Sequence, residues 1–337
     1  MKTPDAKPCF TRNTRSCLFR ILLSVPIFLA LGHIPLDATP VPPNVKKIVI
    51  LIYTEDAKGS KIPLGTGFFV AVPSLGSNSN TYGYVYAVTA KHVVFPENTT
   101  GFRPLVYIRL NNKKGGSNYL PIQLIDHGDN KNIFVSDDPA VDVAVIAVAP
   151  DVNAYDFLAI PEAMITKPED FKAMRIREGT STFFTGLFAP YPGDQRIYPV
   201  VKFGTVALVT DEKVPWIAQV LTNGVVVKQN VKTELYLLET PSAGGNSGSP
   251  VFFYLGADRE PGSINLSAPV LKLAGIMLGY YPDPQPLLYA QTDTRPFAPS
   301  NSGVAAIAPA YKIREILFSR ELSDRRTHLD AQIPTAN

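Results

Sequence analysis

Two successive series of short apolar runs, rich in β-branched and aromatic residues and broken by turn-forming pieces, leave this chain few folds to choose from. The first series covers 47–53, 67–72, 82–94, 105–110, 119–125 and 141–148, with breaks such as Pro73-Ser74-Leu75-Gly76-Ser77-Asn78-Ser79-Asn80. Six short strands at that spacing predict a closed antiparallel barrel. The second series covers 181–188, 200–209, 218–229, 234–238, 250–255, 271–280 and 304–307. Within it Asn223-Gly224 marks a type I′ turn, in which both central residues need positive φ. The expected fold class is therefore all-β: two antiparallel six-stranded barrels, about 46–150 and about 179–308, joined by a crossing at 151–178. In the crossing, Pro161 and Pro168 stand at the starts of short helical turns. Ile313, Ile316 and Leu317 fall near a helical period, predicting a closing helix over 309–322. Residues 323–337 read as a polar, flexible tail, and His127 and His328 as exposed loop and tail residues.

Between the runs 234–238 and 250–255 lies Ser242-Ala243-Gly244-Gly245-Asn246-Ser247-Gly248-Ser249-Pro250, followed by Val251-Phe252-Phe253. Glycines on both sides of Ser247 let the backbone turn tightly and bring its N–H groups close to a bound carbonyl. A serine hydroxyl attacks poorly without a base to take its proton and a third group to orient that base. The chain holds four histidines, His33, His92, His127 and His328, and only His92 closes a strand-like run, Tyr84 to Val94. The matching acid is Asp142, alone inside the apolar run Val141 to Val148, where a carboxylate is costly unless a partner satisfies it.

Gly65-Thr66-Gly67-Phe68-Phe69, Thr89-Ala90-Lys91-His92, Asp142-Val143-Ala144-Val145 and Gly245-Asn246-Ser247-Gly248-Ser249-Pro250 together resemble the trypsin-like (chymotrypsin-fold) serine proteases. The chain order His, Asp, Ser is that family's order. Its bacterial disulfide-free branches, the glutamyl endopeptidases and the HtrA protease domain, look most similar, and the likeness runs from about Lys46 to Leu317. The resemblance implies a serine endopeptidase with Ser247 as nucleophile, His92 as base and Asp142 as its orienting acid. It implies an oxyanion hole made by the N–H groups of Gly245 and Ser247, a peptide or protein substrate, and no metal or organic cofactor. Asn246 replaces the acid that, in the animal digestive branch, pairs with a freshly cut N-terminus, so that activation is not expected. The histidine that reads a glutamate side chain in the glutamyl branch is replaced here by Met277, and Pro241 offers no acid for Lys or Arg. Ser242, Met277 and Gly279 are the expected lining of a primary pocket for an uncharged, modestly apolar residue. Two other functions stay open on the sequence: a catalytically silent binding module on the same barrels, and an esterase or processing enzyme of narrow range.

The 337 residues carry a formal charge of only +3, with basic residues scattered, which argues against nucleic acid as a partner. Ahead of the barrels, Lys2, Lys7, Arg12, Arg15 and Arg20 precede the apolar run Ile21 to Leu31. That is the order of an export signal over 1–38, too short and proline-broken for a stable membrane span, with an uncleaved anchor as the alternative. Cleavage after Gly32 or Ala38 would fit, leaving a proline-rich lead-in at 39–45. Cys9 and Cys17, the two cysteines, both precede the apolar run, so a processed periplasmic or secreted protein would have no disulfide to lean on. The oligomeric state is not legible.

Overall fold

The computed structural model describes residues 41–74, 83–125, 131–256, 270–286 and 297–332. The signal-like segment, His33 and His127 lie outside them. A 3-10 turn, Pro43–Ile48, leads into β1, Val49–Glu55. There follow β2, Lys61–Pro73; β3, Gly83–Thr89; the one-turn helix α1, Lys91–Val94; β4, Leu105–Asn111; β5, Ser117–Gln123; β6, Ile133–Val135; and β7, Ala144–Val148. The crossing holds the two-residue strand β8, Ile160–Pro161, a 3-10 turn Glu162–Met164, and α2, Pro168–Ala173. Both expected prolines open these turns. The second half holds β9, Ser181–Gly186; β10, Val200–Leu208; β11, Val214–Thr222; β12, Val225–Thr233; β13, Tyr236–Glu239; β14, Pro250–Leu255; β15, Val270–Pro286; and β16, Phe297–Pro309. Two helices, α3 (Ala310–Leu317) and α4 (Arg320–Asp330), end the described chain.

Both halves use the same antiparallel strand order. The second closes on itself as β10-β13-β16-β15-β14-β9, and the first runs β5-β4-β1-β2-β3-β7-β6. The first barrel is less regular: among the described residues its ends meet through the isolated bridge Ile125 to Lys131 and a bond from Asn132 Nδ2 to the Gln123 carbonyl, and β8 adds to β2 in parallel. β1 reads Val-Ile-Leu-Ile-Tyr without polar alternation, and all five residues are buried. Strands covered on both faces read this way. The same core cluster contains Ile50 and Ile52 from the first barrel and Phe183, Phe252 and Ile276 from the second, so one apolar seam joins the two.

Two expectations need correcting. The hairpin around Asn223-Gly224 forms with the anticipated turn, φ 51° and 78°, but β11 and β12 make a separate two-stranded ribbon that stands off the second barrel. As far as Gln332, the segment past Leu322 is not a loose tail. Ser319 caps α4 by accepting the Leu322 N–H, and the helix docks on the first barrel through Tyr84, whose hydroxyl donates to Asp330 at 2.6 Å. Arg326, almost wholly buried, donates to the Leu317 carbonyl at 2.7 Å and to the Tyr86 hydroxyl at 3.3 Å. His328 is exposed, as expected, but on a helix.

Replacing Arg326 by alanine leaves a covered carbonyl without its donor and should cost about 1–3 kcal/mol. Arg320→Ala, on the solvent face of the same helix, should stay within about 0.5 kcal/mol. Urea unfolding of the two variants beside the parent checks both; equal losses would mean that α4 is not anchored through Arg326.

Candidate active site

β3 ends at Thr89, and α1 turns the chain so that His92 stands just beyond the strand edge. Asp142 lies two residues before β7, the strand paired with β3. Its carboxylate is 3% exposed and receives two hydrogen bonds from one residue: the His92 backbone N–H at 2.9 Å and His92 Nδ1 at 2.6 Å. A carboxylate accepts only, so Nδ1 carries the proton and Nε2 is left as the acceptor. Burial disfavours the imidazolium, but the Asp142 charge and hydrogen bond outweigh it and raise the His92 pKa above its ordinary value. Burial likewise opposes the Asp142 carboxylate, yet the charge and hydrogen bonds of His92 hold its pKa below the ordinary one. Lys91, beside them, is buried and donates to the Pro139 carbonyl at 2.7 Å; burial lowers its pKa.

The serine turn is seated on the same strand edge from the other barrel. Gly248 has φ 86°, and a Cβ there would sit 1.9 Å from the Thr66 carbonyl oxygen and 2.3 Å from Thr89 Oγ1, so only glycine fits. At Gly65 the Ser247 carbonyl and the Val93 side chain converge, each 2.9 Å from the place of an ideal Cβ. The turn around Ser247 and the turn carrying His92 therefore meet across the seam. Asn246 is buried; its Nδ2 donates to the Leu187 carbonyl at 2.8 Å and its Oδ1 accepts the Ala243 N–H at 2.9 Å. The same Oδ1 also accepts a longer bond from Lys202 Nζ at 3.4 Å, so a neutral amide holds the turn with a lysine at its edge. Among the described residues no acceptor takes the N–H of Gly245 or of Ser247. The Ser247 hydroxyl donates to the Leu278 carbonyl at 2.9 Å rather than to His92.

Solved structures similar to this chain include a thermostable serine protease from an extremophilic microorganism, at 13% identity over 86% of this chain and 100% of that one, with a TM-score of 0.40. Another is a Glu endopeptidase in complex with MPD, at 14% identity over 87% and 93%, with a TM-score of 0.39. No protein-family model and no curated protein matches the sequence. One strand order repeated in two antiparallel halves, the second a closed six-stranded barrel, is decisive for the architecture. The fold is trypsin-like.

Within this trypsin-like fold the residues expected for the primary pocket separate. Ser242 is buried, with its hydroxyl unpartnered among the described residues. Gly279 is partly exposed on β15, one residue past Leu278. Met277 is wholly buried with Phe253, Ala305 and Ile307 inside the second barrel, so its side chain packs the core. Position along a strand fixed its distance from Ser247 but not which face it takes.

Thr66 is the residue the sequence did not single out for a role. Wholly buried, it donates through Oγ1 to the Gly245 carbonyl at 2.8 Å and accepts the Leu187 N–H at 2.9 Å. Its backbone N–H holds the Ser247 carbonyl at 2.8 Å, and its carbonyl accepts from Thr89 at 2.7 Å. The only signal was a hydroxyl between two glycines at the mouth of an apolar run. Thr66→Val keeps the shape and strips partners from two covered groups, at about 1–3 kcal/mol each. Thr66→Ser restores both bonds. Thermal unfolding should show valine well below serine; equal melting would remove Thr66 as the latch of this turn.

Proposed function

We propose that the chain is an exported serine endopeptidase that cleaves peptide bonds through an acyl-enzyme on Ser247. The observation that carries this reading is the 2.6 Å bond from His92 Nδ1 to the buried Asp142, which leaves Nε2 as a base beside the serine turn. Rotation of the Ser247 hydroxyl from the Leu278 carbonyl toward Nε2 begins the reaction. His92 takes the hydroxyl proton as Oγ bonds to the scissile carbon, and Asp142 stabilises the imidazolium. The untaken N–H groups of Gly245 and Ser247 receive the developing oxyanion. The C–N bond then breaks with the His92 proton passing to the leaving amine, and water repeats the sequence to release the acid. No step calls for a cofactor.

A peptide is the favoured substrate because, among the described residues, no strand pairs with one edge of β15 beyond Met277, which the serine turn bonds. β14 pairs with it only as far as Ile276, whereas β16 covers its other edge from Gly275 to Pro286. An extended peptide adding to such an edge gains main-chain hydrogen bonds. Export rests on the basic and apolar order of residues 1–38; among the described residues no helix is long and apolar enough to cross a membrane. The Ser247 bond to Leu278 favours one other reading, a barrel pair kept for binding with its serine at rest.

A fluorophosphonate probe separates the two without a guessed substrate. Intact-mass analysis of the full chain should show one adduct, absent from Ser247→Ala and from His92→Ala. A folded chain that takes no probe would leave the binding module standing.

The labelling rate should also depend on pH in a defined sense. His92 acts as base only when neutral, so the rate rises as pH climbs through its pKa. Since Asp142 raises that pKa, the midpoint should lie above about 6.5. In Asp142→Asn the midpoint should fall, and the plateau should drop by up to about ten-thousandfold because the tautomer is lost. A midpoint unmoved by this change would deny Asp142 its role.

A further inference from the structure

The ribbon β11–β12 leaves the second barrel between β10 and β13 and is tied to both sides of the cleft. On its own side, the Tyr281 hydroxyl donates to the Pro215 carbonyl at 2.7 Å, and the Trp216 ring meets Tyr281 edge-on at 5.5 Å. On the opposite side its return strand pairs with the segment that follows His92. Asn98 N–H donates to the Val226 carbonyl at 2.9 Å, Val226 N–H to the Thr99 carbonyl at 2.7 Å, and Lys228 pairs with Glu97 at 2.8 Å. The ribbon therefore runs from the strand that carries Leu278 to the turn that carries His92. A two-stranded hairpin alone is marginal in water, and ties at both ends make this one a fixed wall.

Its pattern alternates. Ala218 and Val220 are buried, while Ile217 and Leu221 are each 54% exposed. Trp216 shares the covered face and is only partly buried. Its ring lies over Gly279: an ideal Cβ built there would be 3.6 Å from the indole. Gly279 follows Leu278, whose carbonyl holds the Ser247 hydroxyl, and it belongs to the free edge of β15. Covered tryptophans ordinarily place their indole N–H on an acceptor. Here Nε1 has none among the described residues.

We propose that Trp216 is a specificity-determining residue, and that the ribbon selects substrates with an apolar side chain at the position lying beside Gly279. This rests on the reading of Ser247 as the nucleophile for its role in turnover, but not for binding. A peptide laid along the free edge of β15 presents alternate side chains to either side of the strand. The one opposite Gly279 meets no side chain on β15 and faces the indole. The ring, with Tyr281 behind it, offers apolar area and no charge, so leucine or phenylalanine is held there and aspartate is desolvated without a cation to pair with it.

Trp216 is the only tryptophan in the chain, so its emission reports this place alone. The test titrates full-length Ser247→Ala, which cannot turn over, with acetyl-Ala-Ala-Xaa-Ala-Ala-Ala-amide peptides in which Xaa is Leu, Phe, Gly or Asp. Saturable emission changes should appear with Leu and Phe, at least about tenfold tighter than with Gly or Asp. In the active chain, Trp216→Ala should bring the cleavage preference for Leu over Gly near unity. Three results would overturn the proposal: no peptide binding, emission blind to the identity of Xaa, or a preference that survives Trp216→Ala. A parent chain that takes no fluorophosphonate but still discriminates by emission would overturn the hydrolase reading and leave the wall in place.

Discussion

The backbone hydrogen bond from Thr66 N–H to the Ser247 carbonyl, 2.8 Å long, joins the two barrels where the candidate nucleophile meets the candidate base. His92 and Asp142 come from the first barrel and Ser247 from the second, so no chemistry can occur unless the seam is held to within a fraction of an ångström. The features around this bond serve it. Gly65 and Gly248 let the two backbones approach, Thr89 fixes the Thr66 carbonyl, and the Thr66 hydroxyl binds Gly245 and Leu187 at once. A single wrong methyl group on either glycine would push the halves apart.

Both cysteines lie before Val41, so in the described chain the seam is held by packing, hydrogen bonds and ion pairs such as Lys228 to Glu97, without a disulfide. Besides the shared apolar core, two polar bridges flank it. One is the ribbon, reaching the turn after His92. The other is the connection from Leu187 to Pro199, which lies against the first barrel: Arg109 donates to the Asp194 carbonyl, Asn111 exchanges two bonds with Ile197, and Ser117 donates to the Gln195 carbonyl. Bonds of this kind contribute about 1 kcal/mol each when their partners are covered. Set on either side of the serine turn, they resist hinging of one barrel on the other in a way that a single tie could not.

What the sequence made legible followed from local chemistry. Short apolar runs gave the strands, Asn223-Gly224 its turn, and proline the helical turns of the crossing. His92 and Asp142 emerged because a lone carboxylate in an apolar run needs a donor and only one histidine was well placed to give it. The structure pairs them at 2.6 Å. What stayed hidden depended on tertiary contact. The ribbon reads as a strand pair in either place, on the barrel or off it. The helix α4 looks like a solvated tail because its chief anchor, Arg326, is a charged residue whose burial is worthwhile only with the Leu317 carbonyl and Tyr86 hydroxyl in reach. Met277 was assigned by counting from Ser247, and counting does not say that β15 shifts register between Met277 and Gly279.

The charge balance at His92 ties the ribbon to the base as well as to the cleft. Asp142 draws the proton onto the imidazole, whereas burial, Lys91 and Lys228 of the ribbon oppose it. Lys91 is spent on the Pro139 carbonyl and its charge is disfavoured by burial. Lys228 is more than half exposed and paired with Glu97, so solvent and that carboxylate screen most of its field. The carboxylate wins, and the imidazole is protonated sooner as pH falls than a free one would be. A ribbon that moved away would remove the wall beside Gly279 and the Lys228 charge together. The strength of the base is thus set by Asp142, with the ribbon adding a small opposing charge, and the ribbon's position depends on the same segment, Glu97 to Thr99, that follows the histidine.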